Sequence, residues 1–309
     1  MADTLKTTDV KTIKQSWHNV VSQLDREETP FLSSISSSTS GDVTRVFFSK
    51  KLNEAVENAG EEGADAPAAT STATDRASNV MQIFRKTRSV SGTLEATDNV
   101  GISSKFAEQL EDAGKELKRD IEKALLGPQG SVLNGTRKLA GAEAWIKSNA
   151  FHGATGATTG YSDGTNSVAT VTDGTLRDFT EDQLNNAFQK IWEQGGRAKS
   201  IYVGGDMKRR IGTFTGGTTV NTAADKKTIV NAVDYYEGAF GKYTVIASYL
   251  MRTRTVMLID EKTWNVSYLR KISKKDLPAA GDYESKMLVT ELTLEALNER
   301  GNGKIADVK

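Results

Sequence analysis

Residues 57–79 read ENAGEEGADAPAATSTATDRASN, and no hydrophobic side chain larger than alanine occurs among them. Such a run buries too little apolar surface to offset the entropy of ordering it, so it cannot build a core. Yet it lies between VTRVFF (43–48) and NVMQIF (79–84), both rich in the β-branched and aromatic residues of strands. The charge is segregated. Between Lys51 and Arg76 there is no base but six acids, Glu54, Glu57, Glu61, Glu62, Asp65 and Asp75. From Arg76 to Leu94 there is no acid, and the bases are Arg76, Arg85, Lys86 and Arg88; the first strand adds Arg45, Lys50 and Lys51. The pattern predicts a ribbon with basic strands at 42–52 and 78–94 and an acidic tip. An isolated two-stranded ribbon is marginal in water, so it needs a surface to lie on.

The chain around it has 309 residues, room for one large domain or two ordinary ones. Forty acids balance forty bases, so no whole-chain field argues for nucleic acid or membrane. The absence of cysteine excludes disulfides, thiolate metal sites and cysteine nucleophiles. No apolar run approaches the ~18–20 residues of a membrane helix, and the N-terminus has no apolar signal region, so a cytoplasmic protein is expected.

Ahead of the ribbon, residues 20–42 suggest a short helix, a break at Pro30 and a Ser/Thr-rich link. Phe31, Leu32 and Ile35 form a small apolar cluster, suited either to packing on its own domain or to an arm that reaches a neighbour. Behind the ribbon, Ile102, Phe106, Leu110, Ala113, Leu117, Ile121 and Leu125 recur every three or four residues. That spacing predicts one long helix over 102–126 with a narrow apolar stripe, stopped by Gly127 and Pro128. Acids and bases alternate around its other faces, which suits a helix covering a sheet on one side.

Residues 153–175 read as an exposed polar loop with a hairpin through SVATVT (167–172). Thr180 with Gln183 makes a capping box for a helix in which Leu184, Phe188, Ile191 and Trp192 share a face, and Gly195 and Gly196 end it. SIYVGG (200–205) reads as a buried strand, and a short helix starts at Asp206. A second polar loop, GGTTVNTAADKK (216–227), precedes strands at 228–237, 242–250, 255–261, 265–272 and 284–299, with EGAFG (237–241) as a hairpin turn.

Catalytic signatures are missing. His18 and His152 have no acid or second histidine at ligand spacing and read as surface or packing residues. The glycine-rich pieces lack the strand–turn–helix setting of a phosphate loop. No catalytic, cofactor-binding or metal-ligating residues and no cofactor are expected. The informative features are a projecting ribbon, a one-sided long helix and polar loops at the rim of an α/β block, the parts of a chain that touches other chains. The candidate contact residues are Arg45, Lys50, Lys51, Glu54, Glu57, Glu61, Glu62, Asp65, Arg76, Arg85, Lys86 and Arg88, because complementary charge sets register between surfaces.

This order of elements resembles the major capsid proteins of tailed bacteriophages with the Hong Kong 97-like fold, an α+β architecture. The matching pieces are EETPFLSSI (27–35), the ribbon, RASNVMQIFRKTRSVSGT (76–93), LKRDIEKALL (117–126), RKLAGAEAWI (137–146), QLNNAFQKIWEQGGRAKSIYVGG (183–205) and ELTLEALNERGNGKIADV (291–308). The resemblance implies an N-terminal arm at 1–41 and an extended loop at 42–94 lying across an adjacent subunit. It implies a peripheral domain at 95–139 with a spine helix, an axial domain at 140–258, and peripheral return strands with the C-terminus at 259–309. It implies self-assembly into an icosahedral head around double-stranded DNA, in a virion assembled in the host cytoplasm. The expected partners are many copies of the chain itself, with scaffold, portal and decoration proteins; DNA would be contacted non-specifically at most, and no membrane. A nanocompartment shell of the encapsulin type has the same fold, and a cytoplasmic α/β enzyme using carboxylates is the alternative of a different class.

Overall fold

The computed structural model describes residues 28–53, 55–63, 65–66, 68–97, 104–214 and 235–309. The helix expected before Pro30, His18, Glu54, Ile102, the loop 216–227 and the strand residues 228–234 lie outside these.

The chain opens with a one-turn helix, α1 (Pro30–Ser34), and a strand, β1 (Ser36–Thr39). The ribbon is β2 (Thr44–Lys50) and β3 (Thr74–Val80), antiparallel, with Phe47 opposite Ala77. Then come β4 (Gln82–Ser91), a short α2 (Gly92–Ala96) and the long α3 (Lys105–Leu126). A buried turn of helix α4 (Ala142–Trp145) leads to β5 (Ala150–Phe151) and the hairpin of β6 (Tyr161–Ser162) with β7 (Ser167–Val168). The α/β block is α5 (Glu181–Glu193), β8 (Ser200–Val203), α6 (Gly205–Ile211), β9 (Tyr235–Gly238), β10 (Gly241–Ala247) and β11 (Thr255–Ile259). It is followed by two long strands, β12 (Trp264–Asp276) and β13 (Tyr283–Ala296), and a last short one, β14 (Gly303–Ala306).

Two sheets organise this. The peripheral sheet has the order β1-β12-β13-β4, and α3 lies along it. The stripe read from the sequence is what α3 buries: Phe106, Ala113, Leu117, Ile121 and Leu125 are each at most 6% exposed. Ser104 caps the helix by accepting the Ala107 N–H at 3.2 Å, and 22 residues give a rod of ~33 Å. The axial sheet has the order β5-β14-β11-β8-β10-β9. Its core is formed by Leu184, Phe188 and Ile191 of α5 with Ile201, Val203, Val245, Val256, Leu258 and Ile305. Thr180 accepts from Gln183 N–H at 3.4 Å, as the capping box predicts.

Three expectations change. The strand read as 78–94 is two strands: β3 pairs with β2, whereas β4 pairs with β13 across ten residues. The chain crosses from ribbon to sheet at Met81, which is fully buried. Arg85, Lys86 and Arg88 therefore stand on the sheet. Trp192 leaves the face shared by Leu184, Phe188 and Ile191: it is 63% exposed and lies 5.8 Å from Phe240. Finally, the segment 259–309 is not wholly peripheral. β14 enters the axial sheet beside β11, with Ile305 opposite Val256, so the C-terminus ties the two sheets together.

Candidate inter-subunit surface

The ribbon has a fixed root and a bare tip. At the root, Phe47 packs its ring 5.4 Å from Trp145, which stacks on Tyr161 at 5.7 Å. Asn79, fully buried, is the hydrogen-bonding centre. Its Nδ2 donates to the carbonyls of Ala140 (3.1 Å) and Leu294 (2.7 Å), and its Oδ1 accepts from the amides of Ala140 and Val80, both at 2.9 Å. The last β4–β13 pair is Gln82 with Leu292, so the Asn79 side chain serves the β13 backbone just beyond the point where β4 begins. Arg45 adds an ion pair to the buried Glu295 at 2.8 Å.

Beyond the root every described residue from Lys51 to Ser71 is exposed. Phe48, Leu52 and Val56 are 63%, 76% and 80% exposed, an apolar set that a lone subunit leaves in water. Lys50 and Lys51 end the first strand, Arg76 faces Phe48 across the ribbon, and Glu57, Glu61, Glu62 and Asp65 stud the tip.

The other three candidates sit apart from these. Lys86 reaches Asp120 (2.8 Å) and Glu116 (3.6 Å) on α3, and Arg88 reaches Glu116 (2.6 Å). The Asp120 hydrogen bond and the nearby acids hold the Lys86 ammonium above its usual range against the effect of its partial burial. These two bases fasten helix to sheet. Arg85 alternates to the other face and is exposed.

Two features were not read from the sequence. The first is the seat of α1. Phe31, fully buried, meets Tyr202 (5.6 Å) and Trp264 (6.1 Å) edge-on. The Glu122 carboxylate accepts the free first-turn amides of Phe31 (2.9 Å) and Leu32 (2.7 Å). Burial pushes Glu122 up to about 6 even though those two donors pull it down. The described part of the arm therefore packs on its own subunit, extended by β1 running parallel to β12. The available signal was an acid beside the apolar stripe of α3 together with Pro30 opening a helix.

The second is a charged chain that pins the polar loop 153–175. Arg252 bridges the buried Glu143 (2.9 Å) and Asp173 (2.5 Å), and Arg254 bridges Asp173 and Asp307. Asp307 accepts the amides of Gly153 (3.1 Å) and Gly174 (2.9 Å) from φ +60°. Burial would raise Asp307, but the Gly174, Arg254 and Gly153 donors outweigh it and hold the carboxyl below its usual range. Burial drives Lys304 down to about 8. Every one of these charges is committed to tying a loop to β11 and β14. Among the described residues no group of three or more His, Cys, Asp or Glu could hold a metal ion.

A helix-backed peripheral sheet, an α/β axial sheet and a ribbon rooted between them define a Hong Kong 97-like shell subunit. The fold matches the cyanophage A-1(L) capsid (TM-score 0.69, 13% identity, 98% of each chain covered). It also matches Mycobacterium phage Adephagia (TM-score 0.64, 10% identity, 100% of this chain and 99% of that one) and the capsid of the native GTA particle (0.62, 14%, 98% of each). The chain belongs to the SU10 major capsid protein family, whose model matches residues 3–309. It is 37% identical over 120 residues to the major capsid protein of Escherichia phage Phieco32, an alignment spanning 38% of this chain and 33% of that protein.

Proposed function

We propose that this chain is the repeating subunit of an icosahedral phage head, assembling as pentamers and hexamers around packaged double-stranded DNA. The ribbon, 44–80, acts as the extended loop laid across an adjacent subunit; α3 is the spine, and the axial sheet gathers about the symmetry axes. Scaffold, portal and decoration proteins are its other partners, and DNA touches the inner wall without specific readout. The observation that carries this reading is the tip of the ribbon. It buries nothing in its own subunit, yet it presents three large apolar side chains and four described acids on a root of full hydrogen-bond satisfaction. A closed symmetric assembly reuses one such contact many times.

Replacing residues 54–72 by a tight turn keeps β2 and β3 and removes the tip. The account expects a variant with wild-type circular dichroism that forms no closed shells in sedimentation. An unfolded variant, or one that assembles as the wild type does, would contradict it.

A further inference from the structure

The ribbon tip carries Glu57, Glu61, Glu62 and Asp65, all exposed and without an ion-pair partner among the described residues. A complementary surface exists on the peripheral sheet. β1 covers one edge of β12 only as far as the pair Thr39–Tyr268. From 269 to 276 that edge is open among the described residues, and Arg270, Lys271, Lys274 and Lys275 stand along it, exposed. Arg270 is held by Glu291 at 3.0 Å. Lys271, Lys274 and Lys275 have no ion-pair partner among the described residues. Asp276, the acid at the end of the run, lies 3.8 Å from Lys286. Ile272, 43% exposed, sits among the lysines.

Register shifts fall between Tyr268 and Arg270 and between Arg270 and Ser273. An edge that is kinked and lined with lysine resists the addition of another strand. A partner therefore meets it through side chains. We propose that the open basic edge of β12, residues 270–275, receives the acidic ribbon tip of a second copy of this chain. The proposal rests on the reading of the ribbon as a contact arm and names its landing surface. Seven charges, four on the tip and three on the edge, are unpaired within the subunit and of opposite sign. Each surface also carries apolar bulk, Leu52 and Val56 on one and Ile272 on the other. A DNA backbone would match the lysines but has no use for Ile272 and leaves the acids unanswered.

The chain has no cysteine, so Gly60→Cys, at a position with open space around it, gives a single attachment point for a benzophenone maleimide. Particles assembled from mixed ¹⁵N-labelled and unlabelled chains are irradiated, digested and mapped. The expected product joins residue 60 to a peptide containing 270–276 of a different copy. A crosslink to another peptide of a different copy overturns this landing surface and leaves the contact-arm reading intact. Crosslinks confined to the same copy overturn both. The charge test is independent. Lys271→Glu with Lys274→Glu and Lys275→Glu raises the critical concentration for assembly, by up to about fivefold per exposed pair lost, more at low salt than at high. Adding Glu57→Lys, Glu61→Lys and Glu62→Lys to the same chain restores it. Absence of rescue overturns the proposal, as does a triple variant that assembles normally but packages less DNA.

Discussion

Asn79→Ala should be among the most damaging single substitutions in the chain, although it removes only a small polar group. Asn79 is fully buried and makes four hydrogen bonds, two donated and two accepted. Alanine leaves the carbonyls of Ala140 and Leu294 and the amide of Ala140 without that partner at the ribbon root. An orphaned buried group costs about 1–3 kcal/mol, so three of them, with some relaxation, amount to about 3–5 kcal/mol. Ser78→Ala is the matched control one residue away. The Ser78 hydroxyl makes contacts of 3.4 Å to Tyr161 and Asn166, and its loss should cost less than about 1 kcal/mol. Urea unfolding of disassembled subunits reads the difference, and amide exchange should rise at 78–81, 139–141 and 293–295. If Asn79→Ala shifts stability by less than about 1 kcal/mol and exchange at those segments is unchanged, the root is not held as described.

Glu122 sets a pH dependence. Its folded value of about 6 lies above the ordinary 4.5, so the folded state binds the proton more tightly than the unfolded state does. Its contribution is full below pH 4.5 and is lost as pH rises through 6, an amplitude of about 2 kcal/mol. Glu122→Gln should flatten that part of the stability profile in urea titrations between pH 4.5 and 6.5; parallel profiles would refute the assignment. Arg88→Glu breaks the half-exposed pair with Glu116 and should cost about 1 kcal/mol, most of it regained in Arg88→Glu/Glu116→Arg. Thermal melts of the two variants should therefore bracket the wild type closely, and a double variant no better than the single would remove the pair from the account.

Where a pattern is local, the sequence reveals it. The stripe from Phe106 to Leu125 needs only helical period, and the Thr180–Gln183 cap and the turn between β9 and β10 need only a few adjacent residues. The ribbon is legible for the opposite reason: the stretch after Lys51 has nothing to bury. The split at Met81 is not legible, because the run from Ser78 to Leu94 stays β-like and free of acids throughout. What divides it is a non-local choice of partner, β2 before Met81 and β13 after it. The same holds for β14. Four residues containing a buried lysine give no alternation to read, and the strand exists because β11 and β5 flank it. The loop 153–175 looks free because its anchor, Asp307, is more than 130 residues away. Among the candidate contact residues, the tip acids stand where the ribbon puts them. Lys86 and Arg88 were drawn into the set by that missed boundary.

Electron cryomicroscopy of particles assembled from this chain tests the central claim most directly. The account predicts closed shells built of five- and six-membered rings, with density for residues 44–80 of each subunit crossing onto the next. Discrete monomers or dimers that never close, or shells in which each ribbon folds back over its own subunit, would contradict it.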